Sequence, residues 1–115
     1  MENQALFDKV LTTFDNNDSD GLLDLMTDDF EWDMVGEQTV KGKEQVRQMF
    51  EKTEGSEMIS CTKELKMLDG NNAGCNGIVK MKNAKGEISE MYYCDLYVFE
   101  NGLLKKMVTY SSKKV

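Results

Sequence analysis

From near residue 57 the hydrophobic period of this sequence is 2, after a first half in which helical spacing of about 3.6 predominates, and that change restricts the fold more than any other feature. Upstream, Ala5, Leu6, Phe7, Val10, Leu11 and Phe14 recur at helical spacing and give residues 3–15 one apolar stripe. A short second helix carries Leu22, Leu23, Leu25 and Met26, and Thr27-Asp28-Asp29 breaks it. Phe30 to Met34 reads as a strand, and a loop from Gly36 to Gly42 leads into a third helix over 43–54. Val46, Met49 and Phe50 form the buried stripe of that helix. Downstream, Met58–Leu68, Gly74–Lys82, Ile88–Glu100 and Leu103–Ser111 read as four strands. The segments between them are rich in Asn and Gly, and Asn101-Gly102 is a strong hairpin signal. Short turns in series make antiparallel neighbours. The expectation is an α+β domain over residues 1–115, its helices covering one face of an antiparallel sheet.

Length supports one core rather than two, since the chain has 115 residues. With 40% hydrophobic and 30% charged residues the composition is that of a globular chain. The net charge of −7 disfavours phosphate backbones and anionic headgroups, so neither nucleic acid nor membrane is expected as a partner. Met-Glu-Asn-Gln at the start lacks the layout of a signal peptide. Cys61, Cys75 and Cys94 are odd in number and without C-x-x-C spacing, which argues against a disulfide framework or zinc site and suits a reducing cytoplasm.

Histidine is absent, which removes the commonest general base and the Ser-His and Cys-His pairs. Catalysis would have to use carboxylates, tyrosines, lysines, thiols or the single arginine, Arg47. Asn16 to Asp24 imitates the start of an EF-hand loop, with Gly21 at the loop glycine. Asn16 would then be the first ligand and Thr27 would stand where the bidentate Glu belongs, so a capped helix–helix connection is the stronger reading.

The strand Ile88–Glu100 is the most informative segment. Alternation puts Met91, Tyr93, Asp95, Tyr97 and Phe99 on one face and Tyr92, Cys94, Leu96 and Val98 on the other. Both faces are apolar, so both are expected to be covered, one by helices and the other by a second copy of the chain. Asp95 is the anomaly. A carboxylate on such a face must be paired, protonated or opened to a water-filled cavity, and desolvation pushes its pKa upward. Either it is a satisfied structural residue or it is a group poised for proton transfer.

Three helices, the strand segment Phe30-Glu31-Trp32-Asp33-Met34-Val35-Gly36 ahead of the third of them, and a closing meander resemble the nuclear transport factor 2-like superfamily. The likeness is to its SnoaL-like and ketosteroid-isomerase-like branches, and it covers essentially the whole chain. The motifs that carry it are Asp28-Asp29-Phe30-Glu31-Trp32-Asp33-Met34-Val35-Gly36, Val40-Lys41-Gly42-Lys43 and Asp95-Leu96-Tyr97-Val98-Phe99-Glu100-Asn101-Gly102. The resemblance implies a cone in which a curved sheet wraps a helix around a pocket, often dimerising through the convex face. It implies Asp33 as general base and Asp95 as protonated partner of a developing oxyanion, a pairing for which ketosteroid isomerase is a standard example. Trp32, Phe50, Met91, Tyr93, Tyr97 and Met107 are expected to shape the cavity. The family's tyrosine on the first helix is missing here, where Phe7, Val10, Leu11 and Phe14 form the stripe; one lost oxyanion donor costs about 10²–10³ in rate. Because Trp32 and Asp33 are adjacent, a regular strand points them to opposite faces, and only a bulge brings both inward.

Three readings stand on the sequence. One is a pocket enzyme that performs proton-transfer chemistry on a small apolar carbonyl compound, with no cofactor and no metal. Another is a non-catalytic small-ligand-binding domain, since fold does not dictate reaction. The third is a dimerisation module using Tyr92, Cys94, Leu96 and Val98.

Overall fold

The computed structural model describes residues 2–114, with the side chain of Glu2 left aside. Helix α1 spans Glu2–Asp15 and α2 spans Ser19–Asp24. Strands β1 (Met26–Met34) and β2 (Gln38–Lys41) precede α3 (Lys43–Lys52). Strands β3 (Glu57–Cys61), β4 (Leu65–Asp69), β5 (Asn72–Lys82), β6 (Ile88–Glu100) and β7 (Leu103–Lys113) complete the chain. Helices therefore cover a curved sheet of seven strands in the order β2-β1-β7-β6-β5-β3, with β4 also paired to β5. The architecture is that of the α+β cone expected from the sequence.

Four details depart from the sequence reading, each for a local reason. The sheet is mixed, because β1 runs parallel to β7 while the other pairings are antiparallel. Helix α3 and the strands after it carry the chain round, so β1 and the last strand meet in the same direction. Strand β1 begins at Met26 rather than Phe30, and the presumed loop before α3 contains β2, which folds back on β1 around Gly36. Finally, Met58–Leu68 is two strands rather than one. The chain bends over Thr62–Glu64 and crosses close above Gly77, where an added Cβ would lie 2.0 Å from the Thr62 carbonyl oxygen. Only glycine admits that crossing.

The turns behave as their composition demands. Asn101 and Gly102 both have positive φ, 51° and 80°, which is the geometry of a tight hairpin whose twist matches its strands. Asp18 accepts a hydrogen bond from the Gly21 amide at 2.9 Å and so caps α2, the role that competes with the calcium-loop reading.

The core lies between the helices and the concave face. Phe7, Val10 and Leu11 of α1, Leu22 and Leu23 of α2 and Val46 of α3 pack over Phe30, Tyr97, Phe99, Leu104 and Met107. Phe7 sits 5.2 Å from Tyr97 and 6.1 Å from Phe99, ring centre to ring centre. The alternation read in β6 holds: Tyr93, Tyr97 and Phe99 are buried, whereas Tyr92 and Leu96 are exposed. In this single chain the convex face is bare, and Leu65, Met67, Tyr92, Leu96 and Tyr110 stand on it in adjacent strands. Among the described residues, no helix is long and apolar enough to cross a membrane.

Candidate functional site

Between the C-terminal end of α1, the bend after β3 and the concave face of β6 and β7 lies a hollow of about 320 Å³. Leu11 and Phe14 roof it from α1. Trp32 and Met34 contribute from β1, Met58 and Cys61 from β3, Val79 and Met81 from β5, and Met91, Tyr93, Asp95 and Tyr97 from β6. Its wall is predominantly apolar, which is the ordinary character of a small-molecule site.

Asp95 is the one carboxylate within the sheet part of this wall. Burial is the dominant influence on it and pushes its pKa up from 3.8 to about 6, against the opposing hydrogen bonds from Thr109 and Tyr97. Thr109 donates to Oδ1 at 2.7 Å, and Tyr97 makes a longer contact to Oδ2 at 3.4 Å. Thr109 itself receives the indole N–H of Trp32 at 2.9 Å. Trp32 is braced by the edge of Phe14, 5.9 Å away.

A second polar cluster borders the hollow. The Tyr93 hydroxyl donates to the Thr62 carbonyl at 2.6 Å, and the thiols of Cys61 and Cys75 lie 3.2 and 3.6 Å from the Tyr93 hydroxyl oxygen. Burial raises both thiol pKa values, and it holds the phenols of Tyr93 and Tyr97 well above their ordinary range, so these groups stay neutral at physiological pH. At the rim, the Lys63 ammonium reaches both carboxylate oxygens of Asp15, at 2.9 and 2.7 Å, and the Cys61 carbonyl at 3.2 Å. Asn17 adds a two-way clasp to the backbone of Met58, at 3.0 and 2.8 Å. Together these contacts pin the end of α1 to the edge of the sheet.

The structure thus gathers Trp32, Met91, Tyr93, Asp95 and Tyr97 around one hollow and leaves three expected residues elsewhere. Asp33 points to the convex face, where it accepts a bond from Thr39 at 3.2 Å. The irregularity in β1 lies between Met26 and Glu31, upstream of Trp32 and Asp33, so nothing reverses their alternation. Phe50, on α3, packs against the core and does not line the hollow. Met107 faces inward but is only 1% exposed, sealed under the helices beside Tyr97.

Thr109 is the main residue the sequence did not reveal. A regular two-residue hairpin, begun as Glu100 opposite Leu103 and Phe99 opposite Leu104, would set Val108 against Asp95. The register slips between Val98 and Phe99, with Lys105 as the extra residue, and Thr109 arrives there instead. The signal was present: the inward residues Leu104 and Met107 are three apart, not two.

A family model, the SnoaL-like domain, matches residues 7–107. The chain belongs to the SnoaL-like family. No curated protein matches it. Among solved structures, this SnoaL-like domain resembles an NTF2-like protein of unknown function from Cytophaga hutchinsonii, with 25% identity over 94% of this chain and 97% of that one, at a TM-score of 0.75. It shares its fold with an LEH-like epoxide hydrolase of M. tuberculosis, at 14% identity, coverage of 96% and 83%, and a TM-score of 0.83. A computationally designed 17-OHP binder shares it too, at 18% identity, coverage of 95% and 92%, and a TM-score of 0.81. The same framework therefore serves an enzyme in one case and a binder in another.

Proposed function

We propose that this SnoaL-like domain admits a small, mainly apolar carbonyl compound to the hollow and moves a proton on it through Asp95. The observation that carries this reading is one desolvated carboxylate on the wall of an apolar cavity. A group titrating near 6 is largely ionised at neutral pH yet basic enough to accept a proton. Its carboxylate takes a proton from the carbon beside the carbonyl. The C–H electron pair becomes the new C=C, and the carbonyl oxygen gains the negative charge. The neutral acid then returns the proton to a second carbon on the same side, and the carbonyl reforms. A single carboxylate can serve both steps, and isomerisation, cyclisation and dehydration share that opening. With Asp33 on the opposite face, removal and return of the proton both fall to Asp95.

One observation favours a second reading, a binding site without turnover. The phenols, indole and ammonium on the wall are already engaged: Tyr93 with Thr62, Tyr97 with Asp95, Trp32 with Thr109, and Lys63 with Asp15. A developing oxyanion gains little from donors bound elsewhere.

The discriminating experiment follows a panel of small cyclic ketones and enones by NMR in D₂O, with wild type, Asp95→Asn and Asp33→Asn. The proposal expects deuterium to enter the carbon beside the carbonyl with wild type and Asp33→Asn and not with Asp95→Asn. Saturable binding without exchange selects the binding reading, and no binding at all overturns both.

The bare convex face, with Tyr92, Leu96 and Tyr110 exposed, suits a second copy of the chain, and sedimentation equilibrium of wild type against Leu96→Lys tests that dimer. The three free cysteines suit a reducing compartment such as the cytoplasm.

A further inference from the structure

The two oxygens of Asp95 are not equivalent. Oδ1 takes the short bond from Thr109, whereas Oδ2 has only the long contact to Tyr97. The inequality begins two strands away. An indole N–H donates and never accepts, so the Trp32 bond obliges the Thr109 oxygen to be an acceptor. A threonine hydroxyl has one proton, and among the hydrogen bonds of the described residues its acceptor is Asp95 Oδ1. Were Oδ1 protonated, the Thr109 proton would be left without an acceptor in a part-buried site, a costly arrangement. A proton on Oδ2 leaves every bond of the relay intact.

We propose that Trp32 and Thr109 are positioning residues that fix Oδ1 as an acceptor and reserve Oδ2 for the proton Asp95 exchanges with a ligand. The relay crosses three neighbouring strands, and the register holds it: Thr109 lies opposite Asp95 on one side and Met34 of β1 on the other. The extra residue Lys105 sets that register, so the irregularity in β7 has a consequence at the cavity. The ligand class follows. When Oδ2 carries the proton, it is matched by a neutral acceptor such as a carbonyl or ether oxygen. When it does not, it is matched by an acidic C–H or a hydroxyl. A ligand carboxylate is matched only by the protonated state, and the apolar wall disfavours its charge. This last step rests on the function proposed above, whereas the proton assignment does not.

The titratable groups around Asp95 are Tyr93 and Tyr97 on its own strand, Cys75 across on β5, Cys61 on β3 and the Asp15–Lys63 pair at the rim. The thiols and phenols are neutral near pH 6, and the rim charges oppose one another, so the Thr109 bond is the main local contact that favours ionised Asp95.

The test is a carbon-detected NMR titration of the Asp95 carboxyl in the ligand-free protein. Thr109→Val removes the donor and keeps the shape; it should raise the midpoint from about 6 in wild type to about 7. Thr109→Ser restores the hydroxyl and should return the midpoint to the wild-type value. Trp32→Phe keeps the final donor but frees its orientation and should fall between the two. Identical midpoints in wild type and Thr109→Val overturn the proposal, as does failure of Thr109→Ser to restore the shift. Should Thr109→Val lose its dispersed amide spectrum, Thr109→Ala provides the same comparison. If wild type exchanges ketone protons, Thr109→Val should lower kcat about tenfold at pH 5, where the ionised fraction falls by that factor, and about twofold at pH 7, with KM little changed. An unaltered kcat with a shifted midpoint removes Oδ2 as the exchanging oxygen. A wild type that exchanges no protons removes the proposed reaction but leaves the titration result standing.

Discussion

Asp33 and Asp95 each accept a hydrogen bond from a threonine on the neighbouring strand, Thr39 at 3.2 Å and Thr109 at 2.7 Å, yet they stand on opposite faces of one sheet. On the convex face, Asp33 keeps its access to water. On the concave face, helices and aromatic rings exclude water, and Asp95 titrates near 6 despite the better hydrogen bond. The pairing chemistry is the same, so the surroundings decide. Desolvation outweighs a short hydrogen bond, and the sheet's alternation decides which aspartate experiences it.

The largest effect expected from breaking this contrast is in backbone packing. Gly77 lies under the Thr62 crossing on the concave side, and Gly77→Ala forces that crossing apart along with the Tyr93 anchor. It should cost about 3 kcal/mol or more by urea denaturation. Gly74, in the same strand but facing the convex side, has room, with Leu96 3.5 Å from an added Cβ; Gly74→Ala should stay within about 0.5 kcal/mol of wild type.

Next comes the linkage of Asp95 to stability. Its folded-state pKa of about 6 exceeds the ordinary 3.8, so between those values the folded chain holds the extra proton. The contribution of Asp95 therefore makes stability fall as pH rises from about 4 to about 6, by about 2–3 kcal/mol in all. Asp95→Asn removes that slope, and its stability relative to wild type should climb across the same window in urea melts at stepped pH.

Smaller effects sharpen the picture at the rim and outside. Lys63→Met breaks the Asp15 pair, and a part-exposed bridge of this kind is worth at most about 1 kcal/mol. Its clearer consequence should be faster amide exchange in residues 13–17, because the clasp over the hollow is reduced to Asn17. Asp33→Asn and Thr39→Val, on the watered face, should each change stability by less than about 0.5 kcal/mol.

Most of the architecture was legible because it rests on period and turns. The stripe of Phe7, Val10 and Leu11, the alternation of β6 and the Asn101-Gly102 hairpin are local patterns, and each appears where the sequence places it. Half of the site was legible for the same reason: alternation alone sends Asp95 inward with Tyr93 and Tyr97. What escaped depends on register and on distant crossings. Thr109 reaches Asp95 only through the slip at Lys105, Asp15 and Lys63 meet at the hollow only because the chain bends at Thr62, and Asn17 meets Met58 only where the end of α1 crosses β3. Asp33 failed to join the cavity because residue order along a family pattern does not specify a face, whereas the intact alternation after Glu31 does. Phe50 sits on a buried stripe that faces a different part of the core.

The most direct measurement is the pH titration of the Asp95 carboxyl carbon in the wild-type protein, with Asp95→Asn to identify the resonance. The account predicts a midpoint near 6 and a pronounced chemical-shift change there. A midpoint near 4, the value of a carboxylate in water, would mean that the hollow is wet around this group and would contradict the account.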